Sequence, residues 1–464
     1  MKTTMPFLLA AAVLAGCVSV PRDESVSNLR DGVSARLGSS VELRGDAGGE
    51  ARVRELLAGE IDAERAVQIA LLNSPRVDAV LAEMDLARAE VLEGSTISNP
   101  VFEAEIRFPG EPYRPYELRL AQSILDLVRL PRRRAAARVA FDAARMRVTS
   151  EVVGFAADVR DDYFSLLTSS SNLALTETIT EAAQVAVELA LRQHAAGNIT
   201  DLELEREQAR WEDAKLELAA EQERLLLQRE TFVRRLGLDG TEEWTLAPTF
   251  PPLPESELEP EAMETILAER RLDLAAARRE LEAVRRLLPG SALEEVGEVV
   301  VDVHREREPD GSKSTGPGIE LPIPIFNRGA AARLRAEARI AQLEAEIASG
   351  VSAAASEVRA AQESLFAARA RAEYYRDVIL PRRERILRLT QLEYNAMFVG
   401  IYTLLEAKEN QLRAQRDYNE AQRAYWSGRG VFERALHGTG SPADRLGAGD
   451  QRQSGQTAMR GEEH

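Results

Sequence analysis

Cysteine and histidine, which often carry out nucleophilic and metal chemistry, are scarce in this sequence. There is one cysteine, Cys17, and four histidines whose spacing does not fit a metal-binding cluster. The histidines are His194, His304, His437 and His464. No phosphate-binding loop or dinucleotide fingerprint is present, and acidic pairs such as Glu203 and Glu205 fall on different faces of a helix. We therefore predict that the chain is not an enzyme and holds no metal or cofactor.

The position of Cys17 indicates lipid attachment. Lys2 gives a positive start, Pro6 to Leu14 is apolar but too short to span a bilayer, and Leu14-Ala15-Gly16 places small residues directly before the cysteine. This arrangement resembles the lipobox of bacterial lipoprotein signal peptides. The resemblance implies cleavage before Cys17 and lipid on its thiol and new amino group. An ordinary secretory signal with an incidental cysteine is the alternative. An aspartate after the cysteine would indicate retention in the inner membrane, and Val18 favours the outer membrane.

Composition excludes one class of partner and indicates long helices. The 464 residues carry a net charge of −17, from 76 acidic against 59 basic side chains. This balance argues against nucleic acid, because binding to phosphates rests on clustered lysine and arginine. Ala, Arg, Glu and Leu dominate, which is typical of long helices and coiled coils. No other segment approaches the roughly 20 apolar residues of a transmembrane helix, so a chain that spans a membrane must do so with strands.

Two parts of the sequence repeat each other. Ile124-Leu125-Asp126 and Ile325-Phe326-Asn327 each close a strand and open an Arg/Ala-rich helix, 201 residues apart. Ile199 to Leu202 pairs with Ile401 to Leu404 at an offset of 202 residues. A duplication of this length predicts two similar units that pack side by side.

The lipobox, the duplication and the local composition together suggest a division of the chain into six segments. They are a signal peptide at 1–16, a lipidated tether at 17–60, a first repeat at 61–245, a linker at 246–260, a second repeat at 261–436 and a disordered tail at 437–464. The linker is Pro-rich, and the tail is rich in Gly, Ser, Gln and Arg.

Each repeat contains two segments with strand alternation. In the first they are Val101 to Phe108 and Tyr116 to Ile124, and in the second they are Val299 to Val303 and Ile319 to Ile325. Apolar residues occupy one face of each strand, which is the pattern of a transmembrane wall. The residues predicted to face a wet lumen are Glu103, Glu105, Arg107, Glu117, Arg119, Asp302 and Glu320. A half-buried sheet of a soluble protein shows the same alternation and stays open as an alternative.

Helical periodicity fills most of the remaining sequence. Four rods are predicted, from Leu130 to His194, Thr200 to Leu236, Gly329 to Asn395 and Ile401 to Leu436. The first rod would be ~90 Å long at 1.5 Å per residue. Pro381 should kink the third rod. Rods of this composition also suit a lipid-anchored periplasmic coiled-coil scaffold, which is the alternative function from a different class.

Four strands are too few to close a barrel, and open sheet edges are not tolerated in lipid. The chain is therefore expected to oligomerise. Three chains would supply twelve strands, and an even number of strands is usual.

Several motifs resemble those of the TolC-like outer-membrane efflux channel family. They are Leu321 to Gly329, with its Pro-Ile-Phe-Asn-Arg-Gly strand exit, Asn73-Ser74-Pro75, and Tyr394 through Lys408. Leu272-Asp273-Leu274 stands where the family usually has Arg-Pro-Asp-Leu, so the proline is missing. The resemblance covers roughly residues 61–436.

The resemblance implies an α+β membrane protein of the Gram-negative outer membrane, lipid-anchored and with an internal two-fold repeat. Its fold would be a homotrimer with a twelve-stranded β-barrel, four strands per chain, continued by a long periplasmic α-helical coiled-coil barrel. Its activity would be passive export of drugs or metal ions, with energy supplied by an inner-membrane transporter through a periplasmic adaptor. Protein export also stays open, and no cofactor is implied besides the covalent lipid.

The resemblance also suggests gate residues at the ends of the rods. Thr200 and Asp201 match the family's Thr-Asp gate pair, and Tyr394 matches a tyrosine that hydrogen-bonds this aspartate. Glu406 and Thr403 match the periplasmic aperture ring, where a threefold ring of Glu406 would favour cations. The arginine of the family's gate network is replaced by Val399, which puts a charge-locked closed state in doubt. Solvated helix positions near a turn are the alternative role for Asp201 and Glu406.

Overall fold

The protein combines long helices with one small antiparallel sheet, as the predicted α+β class requires. The computed structural model describes residues 22–44, 48–108, 114–257, 263–291, 297–308 and 310–439. The chain divides into two compact units, of which the first contains residues 1–31, 81–149 and 272–352, and the second contains residues 32–80, 150–271 and 353–464. The predicted signal peptide and Cys17 lie outside the described residues.

Helices account for most of the described residues. They are α1 Arg22–Leu37, α2 Gly49–Leu57, α3 Ala63–Asn73, α4 Pro75–Glu93, α5 Leu125–Ala195, α6 Asp201–Leu236, α7 Leu272–Leu287, α8 Ala330–Tyr374, α9 Leu380–Asn395 and α10 Ile401–His437. Within the described part of the chain, no helix is both long enough and apolar enough to cross a membrane.

Six strands are described, and they form two sheets. They are β1 Glu60–Ile61, β2 Val101–Ile106, β3 Tyr116–Ser123, β4 Thr245–Leu246, β5 Val300–Arg307 and β6 Lys313–Glu320. β1 pairs with β4 in parallel within the second unit. The other four strands form the sheet of the first unit, in the order β2-β3-β5-β6 and antiparallel throughout. Strands β2 and β6 are therefore the two edges of that sheet.

The register of the four-stranded sheet separates polar from apolar side chains. Glu103, Arg119 and His304 lie directly opposite one another on neighbouring strands, so their side chains lie on one face of the sheet. This is the face that the sequence predicted to line a lumen. On this polar face, Arg119 Nη2 lies 3.3 Å from Asp302 Oδ1 and 3.1 Å from Glu320 Oε2. These cross-strand ion pairs join three of the four strands.

The opposite face of the sheet is apolar and exposed in the single chain. Phe102, Leu120 and Val303 lie opposite one another on it, and Phe102 is 64% exposed. Ile319 on the edge strand is 70% exposed. The predicted division into two faces is thus present, whereas a soluble half-buried sheet would cover its apolar face.

The last predicted strand is too long. The sequence predicted pairing up to Ile325, but β6 ends at Glu320, which is paired with Val300 at the start of β5. Beyond this pair β5 offers no partner, and Pro322 and Pro324 have no backbone N–H to donate. At the other end of this hairpin the backbone turns at Gly311, which has a φ of 88°. Residues 109–113, between β2 and β3, lie outside the described residues.

The long helices differ from their predicted limits for physical reasons. Helix α5 begins at Leu125 rather than Leu130, so Pro131 lies inside the helix instead of in its first turn. A π-helical segment, Tyr375–Ile379, lies immediately before α9 and Pro381, where the sequence predicted a kink. This placement agrees with the loss of a backbone donor at proline, which shifts the hydrogen-bond pattern of the preceding turn.

The predicted tether is folded, and that prediction is wrong for much of its length. Residues 22–57 include α1 and α2, and their apolar side chains are buried. The buried side chains are Leu29, Val33, Val41, Leu43, Val53 and Leu56. The sequence pattern missed these helices because polar residues separate their short apolar stripes.

The predicted linker at 246–260 also packs against the second unit where it is described. Phe250 stacks on Phe164 with ring centroids 6.1 Å apart, and Trp426 stacks on Phe164 at 5.3 Å. Glu257 Oε1 accepts hydrogen bonds from Arg369 at 2.7 Å and from Tyr425 at 2.6 Å. The segment is therefore part of the core of this unit.

The tail begins later than predicted. Helix α10 includes His437, and Thr439 is buried beside it. Ser150 Oγ donates to Gly438 O at 3.1 Å. Burial, with smaller contributions from Arg36 and Arg270, lowers the pKa of His437 to about 4. This histidine is held neutral by its surroundings near neutral pH. Residues 440–464 lie outside the described part.

The final helix of each repeat ends in the same way. Gly237 after α6 and Gly438 after α10 both adopt a left-handed conformation, with φ of 74° and 68°. Asn73 Nδ2 donates to Leu236 O at 3.2 Å and to Gly237 O at 2.8 Å, which gives the Asn73-Ser74-Pro75 motif a structural role. In the second repeat, buried Arg271 donates to Ala435 O at 2.9 Å. A side chain thus satisfies orphan carbonyl groups at each helix end.

We predict that Gly237→Ala destabilises the protein more than Gly197→Ala. Both glycines have a φ of 74°, so each substitution incurs the roughly 1–2 kcal/mol of left-handed strain. A Cβ at Gly237 would also lie 2.7 Å from Asn73 O, whereas nothing lies within 4 Å at Gly197. Denaturant midpoints from far-UV circular dichroism measure the difference, and equal losses for the two variants would contradict the packing argument.

Candidate functional site

The candidate gate residues lie at two helix turns in the second unit. One turn joins α5 to α6 and the other joins α9 to α10. In the first, the N–H groups of Ala196, Gly197 and Asn198 donate to the carbonyl groups of Arg192, His194 and Gln193. In the second, the N–H groups of Ala396, Met397 and Phe398 donate to those of Leu392, Tyr394 and Glu393. The two turns therefore share one hydrogen-bond geometry at an offset of 200 residues.

This geometry corrects the offset of 202 residues predicted for these turns. Thr200 is the N-cap of α6 and Gly400 is the N-cap of α10. Asp201 therefore corresponds to Ile401, and Thr403 corresponds to Glu203. The motif comparison went wrong because similar Ile, Thr and Leu residues follow both turns two positions out of step.

The first turn is closed by a capping box. Glu203 N donates to Thr200 Oγ1 at 3.3 Å, and Thr200 N donates to Glu203 Oε2 at 2.8 Å. These hydrogen bonds, that from the Thr200 backbone first and that from its side chain second, lower the pKa of the Glu203 carboxyl. Thr200 thus has a local role in starting helix α6.

Asp201 has a partner that the sequence did not suggest. His194 Nε2 lies 2.6 Å from Asp201 Oδ1, within hydrogen-bond distance across the turn. The Asp201 side chain is otherwise 94% exposed. Tyr394 occupies the position of His194 in the second turn, and its predicted hydrogen bond to the aspartate stays a prediction. The sequence did contain a signal for this contact, because His194 precedes Asp201 by seven residues and Gly197 breaks the helix between them.

The second turn has no equivalent cap. Gly400 offers no side chain, and Thr403 is exposed where the first turn has its capping glutamate. Met397 has a φ of 61°, which is uncommon for a residue other than glycine. Met397 and Phe398 are 92% and 82% exposed, respectively. Two large apolar side chains therefore project at this turn without cover in the chain.

Polar contacts link the helices next to the two turns. Tyr402 donates its hydroxyl to Gln193 Oε1 at 2.8 Å. Arg210 Nη2 lies 2.7 Å from Glu409 Oε2. Burial lowers the pKa of Arg210, but Glu409, Glu207 and Glu406 together raise it above its ordinary value. Exposed Glu406 is thus close enough to Arg210 to contribute to its electrostatic environment.

The side chains near the turns offer charge and hydrogen bonding without a metal centre. Among the residues that the structure describes, no group of three or more His, Cys, Asp or Glu side chains could hold a metal ion. Outside the turns, His304 Nδ1 lies 3.4 Å from Asp302 Oδ2 on the polar face of the sheet.

Comparison with known proteins finds relatives of both the sequence and the fold. Residues 66–238 match the sequence model of a family described as Outer membrane efflux protein. The cobalt-zinc-cadmium resistance protein CzcC of Cupriavidus metallidurans is 21% identical over 366 residues, which are 78% of this chain and 86% of that protein.

Two solved structures share the architecture at low sequence identity. The Campylobacter jejuni CmeC outer membrane channel aligns with a TM-score of 0.68 and 15% identity, over 83% of this chain and 88% of that one. The Neisseria gonorrhoeae MtrE outer membrane channel aligns with a TM-score of 0.66 and 16% identity, over 81% and 88%. The two structures show a shared fold, and the family match confirms the resemblance drawn from the motifs.

We predict that Thr200→Ala loosens the start of helix α6. Removing an N-cap side chain costs about 1 kcal/mol, which should speed amide hydrogen exchange in the first turn of α6 by roughly fivefold. Thr403→Ala is the matched control, because Thr403 caps no helix. Hydrogen exchange followed by mass spectrometry tests this, and equally fast exchange at the start of α10 in the control would refute the capping role.

Proposed function

We propose that this chain belongs to the TolC-like outer-membrane efflux protein family and is the outer-membrane channel subunit of a tripartite efflux pump. It would be a passive conduit for drugs or metal ions from the periplasm or cytoplasm to the outside. Its partners would be a periplasmic adaptor and an inner-membrane transporter. The exposed apolar face of the four-stranded sheet is the observation that supports this function most directly.

That face suits lipid better than water. Phe102, Leu120, Val303 and Ile319 are all more than half exposed in the chain and lie on one face of the sheet. The opposite face carries ion pairs centred on Arg119. A wall with hydrocarbon on one side and water on the other has this distribution. The alternative, a periplasmic coiled-coil scaffold, gives no reason for an exposed apolar sheet.

The edges of the sheet support a trimer. Strands β2 and β6 each have a neighbour on one side only, which leaves backbone groups unpaired on the other. An unsatisfied backbone group in hydrocarbon costs several kcal/mol, so β2 of one chain would pair with β6 of the next. Three chains with four strands each would close a twelve-stranded barrel. The duplicated hairpins would then alternate around it, and the helices would continue it as a periplasmic tunnel.

The lipid on Cys17 would anchor each chain to the outer membrane. In this arrangement the helices and the lipid lie on the periplasmic side, and the hairpin ends of the strands lie outside. The covalent lipid adds a hydrophobic anchor to the barrel rather than a catalytic group.

The gate would lie at the two helix turns. In a threefold assembly, Asp201 and Glu406 of three chains would form rings of negative charge, with Thr200, Thr403 and Tyr394 beside them. Such rings favour cations at a narrow mouth. A cationic cargo also suits the name of the relative CzcC, a cobalt-zinc-cadmium resistance protein.

The exposed pair at the second turn would meet the adaptor. Met397 and Phe398 are the large apolar side chains that stand uncovered at this turn. Methionine and phenylalanine are enriched at the buried centre of protein interfaces, and methionine adapts its shape to its partner. Covering them would remove apolar surface from water without disturbing the capped first turn.

We predict that Val303→Arg impairs membrane insertion whereas Ser314→Arg does not. Val303 is on the apolar face, where a cation near the bilayer centre costs roughly 2–4 kcal/mol, and Ser314 is on the polar face. The measurements are heat-modifiable gel migration and outer-membrane fractionation. Unimpaired insertion of the Val303 variant would contradict a lipid-facing sheet.

We predict that Glu406→Gln lowers the preference of the channel for cations over anions. Two charges 4 Å apart in water interact by about 1 kcal/mol, so a fall of up to about fivefold is expected. Reversal potentials in planar bilayers under a salt gradient measure it. Glu223→Gln, at an exposed carboxylate of α6, removes the same charge away from the turns and serves as control. Wild-type protein that shows no conductance would contradict the channel function itself.

A further inference from the structure

We infer that the outward face of the sheet carries a binding surface for phosphate-bearing lipid headgroups at the hairpin end of the strands. This inference rests on the proposed membrane-spanning role of the sheet. It concerns which lipid surrounds the channel rather than what passes through it.

The charged residues of the apolar face are grouped at one end. Arg307 lies opposite Tyr116 and Lys313, and Arg305 lies opposite Leu118 and Thr315, in the two paired rows nearest the turn at 308–312. The remaining rows of this face, within the described strands, carry no charged side chain. This face of the described paired strands therefore carries basic side chains but no acidic ones.

A fourth cation continues the pattern on the first hairpin. Arg107 N donates to Pro115 O at 3.1 Å, so the pairing of β2 and β3 continues past their last ladder residues. Phe108 and Arg114 then fall on the same face as Tyr116, two positions further toward the hairpin end. The guanidinium group of Arg114 lies 5.5 Å from the centroid of the Phe108 ring. Both side chains are exposed.

Aromatic rings accompany these cations, as they do where a protein passes through the headgroup region. We call Arg114, Arg305, Arg307 and Lys313, together with Phe108 and Tyr116, the outer belt. Its aromatic rings would lie at the level of the headgroups, and its exposed cations, Arg114, Arg305 and Lys313, would extend toward phosphate groups.

The opposite face at the same height has the reverse charge. Glu105, Glu117 and Glu306 lie opposite one another there, with Arg107 paired to Glu105 at 3.0 Å. The outer belt is therefore a property of the outward face and not of the hairpin end as a whole. A soluble anion would meet only the cations, whereas a lipid meets both the cations and the apolar surface that continues below them.

The test uses the full-length lipidated trimer in neutral detergent, titrated with lipid A, which bears two phosphates, or with phosphatidylcholine. Bound lipids are counted by native mass spectrometry. Arg305→Gln/Lys313→Gln removes two belt cations, and Arg107→Gln/Arg119→Gln removes two cations from the polar face as matched control. Inorganic phosphate serves as a competitor that lacks acyl chains.

We expect the wild type to bind lipid A more tightly than phosphatidylcholine. Each cation near an anionic headgroup is worth about fivefold in affinity, so the belt variant, which lacks two cations, should lose roughly 25-fold and the control little. The preference should also weaken with salt. Equal losses in both variants, an unchanged belt variant, or displacement of lipid A by an equal concentration of phosphate would overturn the inference.

The outcome separates this inference from the proposed function. Trimers that shift on boiling and conduct in planar bilayers, yet show no belt-dependent preference for lipid A, would leave the channel in place and remove the belt. Wild-type protein that forms no heat-modifiable trimer would refute the channel and the belt together.

Discussion

In the proposed channel the strongest constraint on the structure is that every backbone N–H and C=O group in hydrocarbon needs a hydrogen-bond partner. A sheet with an exposed apolar face favours lipid, but strands β2 and β6 each bring an unpaired edge. Water satisfies such an edge and hydrocarbon does not. In the proposed channel the sheet would have to pair with another copy of itself before it is stable in a membrane. The cross-strand ion pairs of Arg119 would then lie on the inner side, where water can reach them.

In the proposed channel the two helix turns would present side chains at its periplasmic mouth while the backbone groups at the helix ends stay hydrogen-bonded. They share one backbone geometry but divide the tasks. The first turn holds the acidic side chain of Asp201 against His194 and is closed by Thr200. The second exposes Met397 and Phe398. An arrangement of this kind suits a site where one turn contributes charge and the other contributes apolar contact surface.

The parts of the fold with strong periodicity were predictable from the sequence, and the parts fixed by distant contacts were not. Alternation located all four strands of the main sheet, but β6 ends at Glu320 because its partner strand begins at Val300, which no local pattern reveals. Phe250 looked like linker because its partner Phe164 is far away in the sequence. At the turns, the family resemblance suggested Thr200 and Asp201 as site candidates, but the pairing with His194 depends on backbone geometry. The offset of 200 residues between the two turns is evident from their backbone hydrogen bonds and not from the similarity of their sequences.

The left-handed Met397 gives the two turns different opening equilibria. Strain of about 1–2 kcal/mol at that residue adds to the ~1 kcal/mol that a side-chain cap would have supplied at Gly400. A difference of about 2–3 kcal/mol corresponds to a ratio on the order of 30- to 150-fold in the population of the locally unwound state. Two helix turns with the same backbone geometry would then unwind with very different frequencies. The two turns would therefore have the same average structure but different dynamics. The start of α10 would be unwound in a much larger fraction of molecules than the start of α6.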